Sequence, residues 1–195
     1  MAETSAEGRW LLLIHQIPPK PDYFRVKIWR RLQRLGAVAI KNSVYVLPKN
    51  DQTQEDFQWV LREIVEGRGE ASLCEARFVD GLSDEQVEAL FQEARGAEYD
   101  QIAEEARRFA EIPLTNAQTE EMRRAKLEVD LVRLKRRLAE VVAIDFFGAP
   151  GRETAEGLVS GVEARMTGKN SMLGSDSART FRREDLLDKT WVTRK

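Results

Sequence analysis

The fold is decided by residues 10–48, which read WLLLIHQIPPKPDYFRVKIWRRLQRLGAVAIKNSVYVLP. The stretch opens with a nearly continuous apolar run from Trp10 to Ile17 and stops at Pro18 and Pro19. An apolar run of strand length predicts a central strand that is buried on both faces.

The next segment has the period of an amphipathic helix. Asp22 is a candidate N-cap, and Gly36 is a candidate left-handed stop. Apolar residues recur between them at intervals of four, four and three, at Phe24, Ile28, Leu32 and Leu35.

A hairpin and a second helix follow. Two β-rich runs flank Lys41 and Asn42, and Asn42 suits the left-handed conformation of a tight turn. Residues 52–66 have helical period, and residues 71–79 alternate like an edge strand. The order β-α-β-β-α-β predicts a ferredoxin-like domain over 9–80, with both helices on one face of a four-stranded antiparallel sheet.

Long helices are predicted beyond that domain, so the fold class is α+β with an antiparallel helical domain over 83–166. Ser83 and Gln86 form a capping box, and Gly96 is a candidate kink. A helix from about Thr115 to Phe146 carries a seam that predicts a helical hairpin or a dimer contact. The seam residues are spaced four, three, four and three apart and are Leu127, Leu131, Leu134, Leu138 and Val141.

A third helix is predicted over 152–166. Residues 167–195 begin with a Gly/Ser/Asn-rich stretch and end in TWVTRK. This composition predicts a linker followed by the start of a further domain.

Composition narrows the class of protein. The single cysteine, Cys74, excludes an intrachain disulfide, and no apolar run reaches the length of a membrane span. We expect a cytoplasmic protein. The net charge of −2 conceals a segregation, because residues 20–49 hold eight Lys/Arg and one Asp (+7), whereas residues 50–111 hold six Arg and seventeen Asp/Glu (−11).

The basic block is a candidate DNA-binding surface. Lys27, Arg30, Arg31 and Arg34 recur at intervals of three, one and three, so these four cations share one face of the helix. With Tyr23 and Trp29 nearby, they are placed to neutralise phosphates. The alternative is a solvated face that pairs with the acidic segment over 50–111. A second basic site on the long helix flanks a packed helix, contacts the DNA backbone or forms an inter-subunit charge seam. The predicted DNA-binding residues are Arg25, Lys27, Arg30, Arg31, Arg34, Lys41, Arg123 and Arg124.

Catalytic chemistry is not indicated. The sequence contains no nucleophile motif, P-loop or dinucleotide fingerprint. With one histidine and one cysteine, no zinc site can be assembled from soft ligands. His15 is predicted to be a hydrogen-bonded core histidine and Cys74 a small buried hydrophobe. We therefore expect no metal, no cofactor and no enzymatic activity.

The stretch 10–48 resembles the N-terminal domain of the ChrB chromate-resistance regulators. The resemblance implies a cytoplasmic transcriptional regulator that binds operator DNA, with chromate as the effector that releases it; we further expect a homodimer. The closing TWVTR looks like the opening of the second ChrB domain, so the chain is expected to stop where the chromate-responsive domain begins. Candidate oxyanion ligands are Arg179, Arg182 and Arg183, although a charged linker is the alternative.

Two alternative classes of protein remain open, a nuclease and a protein-interaction module. The same strings are more distantly similar to PaaX-type repressors and to small CRISPR-associated ferredoxin-fold nucleases. A nuclease needs a carboxylate at the end of the first strand. His15 and Gln16 stand there instead, and Asp22 comes only after three prolines, which argues against cleavage. A protein-interaction module without DNA binding is the stronger alternative.

Overall fold

A computed structural model describes residues 8–111 and 117–168, with side chains over 8–111 and 125–168. The elements are β1 (Trp10–Gln16), α1 (Asp22–Arg34), β2 (Val38–Lys41), β3 (Val44–Pro48), α2 (Asp51–Glu66), β4 (Glu70–Ala76), α3 (Asp84–Glu111), α4 (Ala117–Ala143) and α5 (Arg152–Met166). The predicted α+β class is confirmed, with the helical region after the sheet.

The four strands form one antiparallel sheet in the order β2-β3-β1-β4. β1 is central, and its Leu12 lies opposite Val46 of β3 and Cys74 of β4. β4 is an edge strand, as its alternating pattern indicates.

The expectation that β1 is buried on both faces is wrong at its second half. Leu11 and Leu13 are buried on the face toward α2, but Ile14 on the other face is exposed. The reason is that α3 covers only one end of that second face. There Trp10 stacks on Phe91 of α3, with 6.1 Å between ring centroids.

The N-cap of helix α1 lies one residue before the predicted one. Pro21 is the N-cap and its carbonyl accepts from the N–H of Phe24, so Asp22 is the first helical residue and makes no cap. The predicted stop is confirmed, because Gly36 has φ +74° and donates to the carbonyl of Gln33. The N–H of Ala37 donates to the carbonyl of Leu32 at 3.1 Å, and the two hydrogen bonds together form a Schellman motif.

The hairpin between β2 and β3 is confirmed, but its turn differs from the prediction. The turn falls at Asn42 and Ser43, and Asn42 is not left-handed. The pairing of the two strands also has a register irregularity between Ala39 and Lys41.

The helical region packs α3, α4 and α5 around a second core. Gly96 does not break α3, which is continuous from Asp84 to Glu111, and it lies against Pro150. The capping box at Ser83 is confirmed. The leucine seam of α4 is buried inside the chain, so the helical-hairpin interpretation holds for it.

One buried polar contact anchors the connection between α4 and α5. Tyr99 donates to Oδ2 of Asp145 at 3.0 Å, and Oδ1 of Asp145 accepts from the N–H of Ala149. Burial, together with this carboxylate, raises the pKa of Tyr99 to about 12. The hydroxyl therefore stays a donor across the physiological range.

Helix α3 belongs to both cores, since Phe91 packs on the sheet and Tyr99 packs on α5. The division into 9–80 and 83–166 stays a prediction. The predicted linker and further domain lie outside the described residues from 169 onward.

Candidate nucleic-acid interface

The basic helix α1 is held on the sheet by an apolar stripe. Phe24, Ile28 and Leu32 are buried, as their spacing predicts. Gly67, at the end of α2, lets Phe24 come close, because a Cβ built on Gly67 lies 2.1 Å from Cζ of Phe24. This packing fixes which face of α1 is left for solvent or a partner.

Two of the four face cations are paired by one carboxylate of α2. Nζ of Lys27 lies 2.6 Å from Oε1 of Glu63, and Nη1 of Arg31 lies 3.5 Å from its Oε2. Glu63 is only 17% exposed, so salt screens this contact less than it screens an open surface pair. On this side of α1, the geometry agrees with charge pairing to the acidic segment.

The other two cations stand apart. Arg30 and Arg34 are exposed, and neither has an ion-pair partner among the side chains that the structure describes. Tyr23 and Trp29 of the same helix are 70% and 52% exposed. At about 100° per residue, Tyr23 falls on the side of the two arginines, whereas Trp29 lies about 100° around the helix from Arg30. Exposed guanidinium groups suit phosphates, and exposed aromatic rings suit stacking on bases.

Of the other predicted DNA-binding residues, two have described side chains and two do not. Arg25 and Lys41 are exposed at the flank of α1 and at the hairpin turn. Arg123 and Arg124 fall within α4, but their side chains are outside the described residues. The oxyanion candidates Arg179, Arg182 and Arg183 also lie outside them.

His15 does not match its predicted role as a hydrogen-bonded core histidine. Its ring stacks on Tyr45 with 5.7 Å between centroids, yet neither ring nitrogen has a hydrogen-bond partner. Burial lowers the pKa of His15. Cys74 is half-buried, with its thiol 3.7 Å from the carbonyl oxygen of Leu12.

Neither a metal cluster nor a membrane helix is found in the described part of the chain. No group of three His, Cys, Asp or Glu side chains there is arranged to hold a metal ion. No helix there is long and apolar enough to cross a bilayer.

Sequence reasoning did not single out two residues that shape this region. Glu63 carries no local signal, because its partners belong to another helix. Arg95 did carry a local signal. It lies four residues after Phe91 and four before Tyr99, so helical period places it on the buried stripe of α3. Arg95 is 2% exposed, and its Nε lies 3.1 Å from Oε2 of Glu98.

The fold and this surface define a mixed α+β protein with one basic, aromatic helix facing outward. A family model described as "Protein ChrB, N-terminal" matches residues 25–172. The chain belongs to the ChrB family. The match begins inside α1, so β1 precedes it.

A curated relative agrees with this assignment. The chain is 27% identical over 96 residues to Protein ChrB of Cupriavidus metallidurans, which covers 49% of this chain and 29% of the relative. The matched part is thus less than a third of that relative's length. No solved structure matches the chain.

Proposed function

We propose that this chain is a cytoplasmic, non-enzymatic regulator of chromate resistance that binds operator DNA through the exposed face of α1. The observation that carries the proposal is the pair Arg30 and Arg34, which are exposed without ion-pair partners in the described residues, on a helix that also exposes Tyr23 and Trp29. Membership of the ChrB family supports the same class.

The expected complex places α1 against the DNA backbone or in the major groove, whose width admits a helix. Phosphate contacts by the two arginines supply affinity and register, and sequence reading falls to neighbouring side chains. Binding as a homodimer would match two half-sites of an operator. Chromate, a dianion, is proposed to release the complex.

Fluorescence anisotropy of a labelled operator-region duplex over a salt series tests the DNA-binding proposal. Replacing both Arg30 and Arg34 with Ala is expected to weaken binding and to flatten the log–log salt dependence by about 0.9 for each lost phosphate contact. The matched control replaces Arg107 and Arg108, two exposed arginines that pair with Glu104 on α3. Equal affinity and slope for the two double variants would refute the proposed face.

A protein-interaction module is the competing function, and the Glu63 pairing of Lys27 and Arg31 favours it. Under that function, the wild-type chain shows no salt-dependent duplex binding at low salt. The chromate step is tested separately by adding chromate to the preformed complex, with sulfate as the control dianion. Release by chromate alone supports the proposal, and equal release by both anions contradicts it.

A further inference from the structure

Helix α4 carries a second apolar stripe on the side opposite its buried leucine seam. Val129 and Val132 are 68% and 69% exposed there. The outer stripe is spaced four, three, four, three and four residues apart, at Ala125, Val129, Val132, Arg136, Ala139 and Ala143, all of them exposed. Intervals of this kind follow the heptad of a coiled coil.

We propose that a second copy of this chain covers the outer stripe, with the two α4 helices packed in parallel. The leucine seam of α4 packs against α3 and α5 and is closed to a partner. The outer stripe is the heptad surface of α4 that remains open in the described residues. Val129 occupies an a position of this heptad, and Val132 occupies the d position that follows it.

The charges that flank the outer stripe select the second copy and its direction. In a parallel pair, each g position faces the e position five residues later on the other helix. Glu128 then faces Arg133 of the partner subunit, and Lys135 faces Glu140 of the partner subunit. Both contacts join opposite charges, and the two-fold axis repeats each of them. Glu140 also pairs with Arg136 of its own helix at 3.3 Å, so its carboxylate would be shared between two cations.

An antiparallel pair centred on the same stripe is disfavoured. It would place Arg133 and Lys135 each beside its own copy, and like charges across a helix interface repel. In the parallel pair the two Arg136 side chains meet at an a layer, and this one like-charge contact lowers dimer stability while it fixes the register. The antiparallel pair sets Arg136 opposite Val132 but has two like-charge contacts, at Arg133 and at Lys135. Lys135 contacts Glu163 within the chain at 2.8 Å, so that ammonium would be shared between two carboxylates.

The parallel direction has a geometric consequence. Residues that follow α4 pack against the sheet domain, with the Phe147 ring 5.8 Å from that of Trp10. A two-fold axis along α4 therefore brings both sheet domains, and both α1 helices, to the same end of the dimer. Two α1 helices at one end can meet two half-sites of one duplex.

Only the meeting of two α1 helices with two half-sites depends on the proposed function, because dimerisation itself is measured without DNA. Sedimentation velocity of the full chain is expected to show a concentration-dependent dimer. Replacing Val129 and Val132 with Glu is expected to raise the dimer dissociation constant by more than about tenfold. The control is Val79→Glu, which changes a valine that is 88% exposed outside the stripe.

Unchanged helical content by circular dichroism would show that these variants fold. A wild-type chain that stays monomeric at every concentration overturns the inference. So does a double Glu variant that dimerises as well as the wild type. A chain that does not dimerise but still binds DNA would contradict this interface and leave the proposed function supported. A chain that dimerises but does not bind DNA would contradict the proposed function and leave this interface supported.

Two further measurements test the direction. Glu128→Lys is expected to weaken the dimer, and adding Arg133→Glu should restore it, because the pair is re-formed with inverted signs. Val129→Cys in a Cys74→Ser background should give an oxidised interchain disulfide in a parallel dimer, whereas Val79→Cys should not. Absence of rescue together with absence of the crosslink would overturn parallel packing.

Discussion

Oε1 of Glu63 on α2 lies 2.6 Å from Nζ of Lys27 on α1. Because Arg31 reaches the same carboxylate, one glutamate reduces the effective charge of half the basic face. The pair holds α1 beside α2, and it also limits how strongly α1 attracts a polyanion.

Removing that carboxylate charge should therefore strengthen duplex binding. Glu63→Gln frees Lys27 and Arg31, and each freed cation that reaches a phosphate steepens the salt dependence by about 0.9. Anisotropy titrations over a salt series measure both effects. Glu66→Gln on the same helix is the matched control, because Glu66 is exposed and has no ion pair in the described residues. Identical curves for the two variants would show that the freed cations do not meet DNA.

Gly36 is expected to tolerate substitution poorly. A Cβ at this position would lie 2.8 Å from Cβ of Ile144, and the backbone is left-handed with φ +74°. Gly81 is also left-handed but has open space around it. Gly81→Ala should cost about 1–2 kcal/mol of unfolding free energy from the backbone alone.

Gly36→Ala should cost about 1–3 kcal/mol more than that, because the added methyl group overpacks the contact with Ile144. Urea unfolding followed by tryptophan fluorescence gives both values. Equal losses in the two variants would mean that the α1 stop and the end of α4 are not tightly packed.

The buried guanidinium of Arg95 should make the chain sensitive to Glu98. Glu98→Gln removes the carboxylate beside a buried cation and should cost about 1–3 kcal/mol, reduced from the fully buried case because Glu98 is partly exposed. Glu93→Gln, an exposed change on the same helix, should cost little. Combining Glu98→Gln with Arg95→Met should recover part of the loss, since the unpaired cation is gone; an additive loss would contradict this account.

His15 should make stability fall in mild acid. Burial lowers its folded pKa below the ordinary value of 6.5, so below pH 6.5 the unfolded chain binds protons that the folded chain does not. The free energy of unfolding is therefore unaffected by His15 above pH 6.5, and it decreases as the pH falls from 6.5 through the folded pKa of His15. His15→Phe keeps the ring stacked on Tyr45 and should flatten the dependence between pH 7.5 and pH 5, measured by urea unfolding. The same pH slope in both proteins would assign the acid sensitivity to other groups.

Much of the fold followed from local patterns. The spacing of Phe24, Ile28 and Leu32 predicted both a helix and its buried face, and Gly36 marked its end. The candidate interface was predicted in part, because Arg30 and Arg34 lie opposite that apolar stripe. Glu63 was out of reach of the same reasoning, since nothing local indicates which helix will lie beside α1.

The sequence by itself determined where the elements lie and which of their faces are apolar, because periodicity is written in neighbouring residues. Tertiary structure alone decided what covers each face. It placed α3 over Trp10 but not over Ile14, and it closed the leucine seam of α4 within the chain while leaving Val129 and Val132 open. The physical reason is that an apolar face specifies burial without specifying a partner, and the partner is selected by packing and charge between segments that are distant along the chain.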